Sequence, residues 1–222
     1  MKRVKTNSFL KIAVLALAGC QVFTAAQALA AGYKLADKTG ASIAEFRDEI
    51  VTIKKEVDVT MAALDKIVTT AATDPRKAFK DFDKAVPQID DAAKKARKRG
   101  EDIKARGQAY FKAWEKELAA VNNAEIRQLA EERKGKLAET FGKIRTTMEP
   151  VRDEFNAWLA DLKDLQKYLS NDLTIGGIDA AKELIGKAKT EGQGVQQSMD
   201  KVIGELNTIV ATLTPAKEAK KK

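Results

Sequence analysis

The apolar residues of this chain recur at alternating steps of three and four along four long stretches of sequence. The stretches run from Ile43 to Ala71, from Phe79 to Trp114, from Leu137 to Leu169 and from Ile178 to Leu213. This spacing averages about 3.5 residues, the repeat at which apolar side chains form one seam along an α-helix and helices wrap around each other. The sequence therefore predicts an all-α protein built from long coiled-coil helices.

Residues that commonly begin or end helices separate the four stretches. Residues 42–45 (Ser-Ile-Ala-Glu) have the form of a capping box, which predicts that the first helix begins at Ser42. Residues 74–75 (Asp-Pro) predict the start of the second helix, and Asn122-Asn123 predict the next turn, with Asn123 as N-cap of the third helix. Residues 174–177 predict the last turn. Because short turns make consecutive helices antiparallel neighbours, we expect four antiparallel helices in a coiled-coil bundle.

The predicted helices differ in length. The second and third are each about 47 residues, or roughly 70 Å long, whereas the first and fourth are about 31 and about 37 residues. The tip of the central hairpin, near Tyr110 to Arg133, is therefore predicted to protrude beyond the four-helix part. Pro87 and Pro150 interrupt the backbone hydrogen bonds of the second and third helices, so each is predicted to kink its helix, with a shared bend if the two lie at one level.

The second seam is unusual because small residues occupy its middle. Ala93, Ala96, Gly100 and Gly107 occupy four of its seam positions. Two interpretations stay open: these residues let two helices approach closely, or they weaken the seam and leave it flexible.

The first 30 residues have the order of an export signal. A basic stretch is followed by the apolar residues 12–23 and by Ala28-Leu29-Ala30, which predicts a secretory signal peptide cleaved after Ala30. Residues 17–20 (Leu-Ala-Gly-Cys) also fit a lipobox, in which Cys20 would become a lipidated N-terminus. A third interpretation is an uncleaved anchor. We expect an exported protein, in the periplasm or associated with the outer membrane.

Four segments follow from these features. They are a signal peptide (1–30), a linker (31–41), the helical coiled-coil domain (42–214) and a disordered basic tail (215–222). The net charge of +8 divides into +4 before residue 31, +3 after Pro215 and +1 for the body. A nucleic-acid-binding domain needs a concentrated basic face, so no nucleic-acid partner is predicted. The basic cluster at residues 94–99 is flanked by acids at helical spacing, which indicates a solvated, ion-paired surface.

Most catalytic chemistry lacks its residues in this sequence. The chain contains no histidine, and its single cysteine is Cys20, which excludes a Ser-His-Asp triad and zinc-thiolate sites in the mature chain. The adjacent acids Asp90-Asp91 and Glu131-Glu132 point about 100° apart on a helix and do not converge on one substrate. The sequence therefore predicts no enzyme, no catalytic residue, no metal and no cofactor. We expect Trp114 and Trp158 to be core residues.

The sequence around the predicted tip resembles a known family. Residues 111–118 read Phe-Lys-Ala-Trp-Glu-Lys-Glu-Leu, similar to a Phe-x-x-Trp-Glu-x-Glu-Leu motif in bacterial envelope proteins of unknown function. Asn122-Asn123 and residues 168–173 add to the resemblance, which covers most of residues 42–210. Cys20-Gln21 is similar to the lipidated start of many members. The resemblance implies export and long helices, and it implies no catalytic residue.

Three non-enzymatic functions fit these predictions. The first is a structural or scaffolding protein, or an interaction module, that binds a protein partner or itself. The second is a periplasmic holdase that binds unfolded clients through the hairpin tip, and the third is contact with a membrane, only through a lipid anchor or the basic tail. The predicted interaction tip consists of Tyr110, Phe111, Trp114 and Leu118.

Overall fold

The computed structural model describes the backbone of residues 22–213 and the side chains of residues 34–213. This part of the chain forms four helices: α1 (Val22–Thr69), α2 (Arg76–Leu118), α3 (Ala124–Asn171) and α4 (Ile175–Leu213). Each helix packs against two others, α1 and α3 each lying between α2 and α4. The predicted all-α bundle is thereby confirmed. No helix in the described part is both long and apolar enough to cross a membrane.

Processing at the N-terminus is not tested by the structure. Cys20 lies outside the described residues, and so does the tail from residue 215. Ala30 lies within α1, but its side chain is not described. Cleavage after Ala30, lipidation of Cys20 and a disordered tail therefore stay predictions.

The apolar residues of the four predicted seams form one continuous core. Burying a large apolar side chain contributes about 1.5–3 kcal/mol relative to leaving it exposed, so this seam rather than helix propensity stabilises the bundle. The largest fully buried side chains include Ile43, Leu64, Phe82, Trp158, Leu162 and Leu206.

The first helix begins earlier than predicted. α1 is continuous through residues 31–41, which we expected to be a link, and it does not begin at Ser42. Thr39 is buried, and its hydroxyl donates a hydrogen bond to the carbonyl of Leu35 at 2.7 Å. Leu35 and Thr39 thereby extend the seam upstream of Ile43 in steps of four. A threonine whose hydroxyl is satisfied within its own helix can occupy a core position, and its polarity hid this continuation from the hydrophobic pattern.

The two outer helices reach different levels of the central hairpin. Arg99 of α2 pairs with Glu45 of α1 at 2.5 Å, and α1 continues upstream of Glu45 to Val22. Arg133 of α3 donates a hydrogen bond to the carbonyl of Thr212 at 3.3 Å, which sets the end of α4 at the level of Arg133. The hairpin tip extends beyond the end of α4, as predicted, whereas α1 is longer than predicted.

The turns are close to those predicted, with one difference. Asn123 is the N-cap of α3, and its side chain accepts a hydrogen bond from the backbone N–H of Ile126 at 3.1 Å, as predicted. Asp74 accepts one from the backbone N–H of Arg76 at 3.1 Å, which satisfies a free donor at the start of α2. The last turn is shorter than predicted, because α4 begins at Ile175.

The two internal prolines lie at different levels of the hairpin. Both are exposed, and both helices continue through them. Pro87 is one turn from Asp90, whose partner in α3 is Lys163, whereas Pro150 lies several turns before Lys163. The prediction of a bend shared by the two prolines is therefore wrong, whereas a separate kink at each proline stays a prediction.

The small residues of α2 accommodate aromatic rings from its neighbours. A Cβ atom added at Gly100 would lie 3.7 Å from the ring of Phe46 in α1, and one added at Gly107 would lie 3.2 Å from the ring of Phe141 in α3. Large side chains thus fill the space that the glycines leave, as close packing requires. At Gly100 and Gly107 the seam of α2 is therefore packed against aromatic rings of α1 and α3.

Candidate interaction surface

Three of the four predicted tip residues, Tyr110, Phe111 and Trp114, come together, and two of the four are buried. Tyr110 and Leu118 are buried, whereas Phe111 and Trp114 are half-buried against the core. The ring of Tyr110 lies 5.5 Å from that of Phe111 and 5.6 Å from that of Trp114. Burial raises the pKa of the Tyr110 hydroxyl above its ordinary value. Their role in an interaction stays a prediction, and it now depends on Phe111 and Trp114.

Exposed apolar residues at the tip lie on α3 instead. Ile126 is 54% exposed and Leu129 is 67% exposed. Both precede Arg133, at whose level α4 ends, so they extend beyond the reach of α4. The sequence indicates that the seam is incomplete here, because Arg133 occupies a seam position of the third helix and interrupts the apolar spacing.

Burial along the central hairpin divides it into two halves. We call residues 100–118 of α2 and 124–150 of α3 the tip half, and residues 76–99 and 151–171 the base half. In the base half the seam of α3 is buried, with Trp158 and Leu162 at 1% and 0% exposure. In the tip half only Leu137 of α3 is buried. Three further apolar side chains of this half of α3 are half-buried against the core: Phe141, Ile144 and Met148.

The interface between α2 and α3 is the least extensive of the four interhelical contacts. In the base half, hydrogen bonds bridge it along its edge. The ammonium group of Lys163 lies 2.8 Å from the Asp90 carboxylate, and the Arg97 guanidinium donates to the side-chain oxygen of Asn156 at 3.0 Å. In the tip half the rings of Phe111 and Phe141 meet at 5.5 Å. In the tip half Lys134 of α3 also pairs with Glu115 of α2 at 2.9 Å, so polar bridges cross both halves of the hairpin.

Two of the five cations of the basic cluster at residues 94–99 form ion pairs. Lys94 contacts the carboxylates of Asp90 and Asp91, both at 3.2 Å. Arg99 pairs with Glu49 of α1 at 2.7 Å. The pairs of Lys94 lie within α2, and the pair of Arg99 links α2 to α1, as expected for charged side chains on a solvated helix surface.

Asp90 stabilises the α2–α3 contact in its ionised form. Hydrogen bonding to Lys163, followed by Lys94, holds the pKa of Asp90 below its ordinary value. We expect Asp90→Asn to lower the free energy of unfolding at pH 7 by about 0.5–1 kcal/mol, as measured by urea denaturation. A lowered folded-state pKa stabilises the protein above the unfolded-state pKa, and this contribution is lost as the pH falls through the folded-state value.

The difference between wild type and Asp90→Asn is therefore expected to shrink as the pH falls from 7 to about 3. Asp91→Asn is the control, because its exposed carboxylate contacts Lys94 on the same helix. A difference that stays constant over this pH range would contradict the assignment to the charge of Asp90.

No group of three or more Asp, Glu, Cys or His side chains in the described part of the chain could hold a metal ion. The surface offers shallow grooves. One lies between α1 and α2 beside Glu49 and Lys95, and another lies between α3 and α4 beside Tyr168 and Leu184.

A comparison with protein families matches the chain over residues 28–213 to the family described as "Protein of unknown function (DUF2959)". No curated protein and no solved structure matches it. The matched range covers α2, α3 and α4 completely and begins well before Ser42, which agrees with a first helix that starts upstream of the predicted boundary. The predicted resemblance to a family of unknown function is confirmed.

Proposed function

The chain belongs to the DUF2959 family of proteins of unknown function, and we propose that it is a non-enzymatic, exported scaffold or interaction protein of the bacterial envelope. The main support for this proposal is the contrast between the two halves of the central hairpin. The base half buries its seam, whereas the tip half leaves Phe141, Ile144 and Met148 half-buried and Ile126 and Leu129 exposed. A rigid base that carries an incompletely closed apolar surface suits a protein that holds another protein.

The proposed location depends on the first 30 residues. Both a signal peptide ending at Ala30 and a lipobox ending at Cys20 direct the chain out of the cytoplasm. The two differ in the anchor, and both are compatible with the periplasm or the outer membrane.

A non-enzymatic role is supported by the state of the acidic residues. A general acid or base needs a pKa near the working pH, whereas ion pairing lowers the pKa of Asp90. Asp161 pairs with Lys187 at 2.9 Å, and Asp200 pairs with Lys54 at 2.6 Å. These carboxylates hold helices together and do not surround a common cavity.

Site-specific photo-crosslinking in cells tests the proposed partner surface. A photoreactive residue replaces Arg145, which is exposed four residues after Phe141 and three before Met148. The matched control replaces Lys182, which is exposed on α4 beside the base half. We expect adducts in the envelope fraction from position 145 and none from position 182. Equal or absent adducts at the two positions would count against the scaffold.

The same experiment separates the scaffold from the second candidate, a periplasmic holdase. The exposed Ile126 and Leu129 favour a holdase, because unfolded clients bind to accessible apolar side chains. A scaffold gives one or a few discrete adducts, and self-association gives an adduct of twice the mass of the chain. A holdase gives a broad distribution of adduct masses.

A further inference from the structure

The side of α3 that faces α4 continues beyond the end of α4. Arg133 donates a hydrogen bond to the carbonyl of Thr212, and the Thr147 hydroxyl donates one to the Glu205 carboxylate at 2.9 Å, so this side of α3 faces α4. Ile126 precedes Arg133 by seven residues and therefore lies on the same side. Because α4 ends one residue after Thr212, Ile126 lies past its end and is 54% exposed. This stretch of α3 thus has apolar residues without the helix that packs against α3 elsewhere.

Leu129 is at the centre of this stretch. It is 67% exposed and follows Ile126 by three residues, so the two side chains are neighbours on the helix. Glu125 lies four residues before Leu129 and Arg133 lies four residues after it, which places all three along one stripe. Both charged side chains are exposed, and Arg133 has further N–H donors besides the one on the Thr212 carbonyl. The stripe is therefore acidic, apolar and basic in the direction of the chain.

This order of charges is complementary to itself when two copies of α3 run antiparallel. About a two-fold axis at Leu129, Glu125 of each copy faces Arg133 of the other, because the two residues are equally far from Leu129. The two leucines then meet on the axis, as in an isologous interface. A parallel pairing would place Glu125 against Glu125 and Arg133 against Arg133, which like-charge repulsion disfavours. Within one chain α4 also runs antiparallel to α3, so a second α3 in this orientation matches the way in which α3 is packed elsewhere.

We propose that two copies of the chain associate through this stripe, with α3 of each copy antiparallel to α3 of the other. The contact covers Ile126 and Leu129, and two Glu125–Arg133 pairs fix its register. It involves only the first turns of one helix in each copy, so we expect the association to be weak and reversible. The inference goes beyond the proposed scaffold, which is tested at Arg145, sixteen residues after Leu129. Either proposal can therefore fail without the other.

Disulfide formation between copies of the full chain tests the contact. Cys20→Ser removes the native thiol, and Leu129→Cys places a thiol on the proposed axis, where it faces the same residue of the second copy. Leu184→Cys in the same background is the matched control, because Leu184 is 59% exposed on α4 beside the base half. With oxidised glutathione as the oxidant, we expect a covalent dimer at position 129 and none at position 184. No dimer at 129, or equal yields at the two positions, would overturn the proposal.

A mixture of two proteins with one thiol each tests the register. Glu125→Cys and Arg133→Cys are made separately in the Cys20→Ser background. When the two proteins pair antiparallel, their thiols face each other and one Glu125–Arg133 pair remains. We therefore expect the mixed dimer to form faster than either dimer of identical chains. The N-terminal residues 1–21 are otherwise the same in all samples, so association through them would show no such preference, and equal rates would contradict the proposed register.

Charge reversal tests the two ion pairs. In the Leu129→Cys protein, Glu125→Arg places arginines against each other, and we expect disulfide formation to slow by about tenfold. Adding Arg133→Glu restores opposite charges at both contacts, so the rate is expected to recover. A rate that Glu125→Arg leaves unchanged, or that Arg133→Glu does not restore, would overturn the proposal. So would a thiol at position 129 that forms no dimer and is protected from alkylation only by added envelope proteins or lipid vesicles, because its occupant would then be another molecule.

Discussion

Replacing Trp158 with alanine is expected to lower the free energy of unfolding by about 3–5 kcal/mol, a large fraction of the stability of a domain of this size. The indole is 1% exposed, and its Nε1 donates a hydrogen bond to the backbone carbonyl of Ala188 at 2.8 Å. Its ring also meets that of Phe155 at 5.8 Å. The substitution creates a cavity in the base half and leaves the carbonyl of Ala188 without this donor, so both effects lower stability.

Trp114→Ala is the matched control, because it removes the same side chain from the tip half. Trp114 is half-buried against the core, so we expect a loss of roughly 1.5–2.5 kcal/mol. Urea denaturation followed by far-ultraviolet circular dichroism measures both values. Equal losses for the two tryptophans would show that the tip half is packed as tightly as the base half, which would remove the main support for a partner surface there.

The sequence predicted the helices and the core because both depend on local spacing. Apolar residues at every third or fourth position all lie on one side of a helix, and that side packs into the core. Val57, Leu64, Leu162 and Leu206 were all placed on seams by that spacing, and all four are fully buried. The N-cap at Asn123 was equally predictable, because its partner, the N–H of Ile126, is three residues away.

The tip was predicted less well because it depends on where distant helices begin and end. Thr39 is polar, and only the three-dimensional structure shows that its hydroxyl is satisfied and that α1 continues through it. Tyr110 is buried instead of projecting. The exposure of Leu129 likewise follows from the level at which α4 ends, which no spacing within α3 reveals.

The turn between α3 and α4 contains two adjacent glycines with different surroundings. The side chain of Asp172 accepts hydrogen bonds from the backbone N–H and the hydroxyl of Thr174 at 3.1 and 2.6 Å, and the Thr174 hydroxyl accepts one from the N–H of Gly177 at 3.1 Å. This cap brings Asp172 directly against Gly177. A Cβ atom at Gly177 would lie 2.6 Å from the backbone carbonyl oxygen of Asp172, whereas one at Gly176 would meet nothing closer than 3.9 Å.

We expect alanine to have opposite effects at these two positions. Gly177→Ala must displace the backbone of Asp172 and the cap that it forms, so it is expected to lower the free energy of unfolding by about 1–3 kcal/mol. Gly176→Ala meets open space within the first turn of α4, where alanine restricts the unfolded chain more than glycine does, so it is expected to raise stability by about 0.4–1 kcal/mol. Urea denaturation of both variants measures the two changes. Changes of the same sign would mean that the contact with Asp172 does not limit the residue at position 177, because the two sites share one helix end and differ chiefly in that contact.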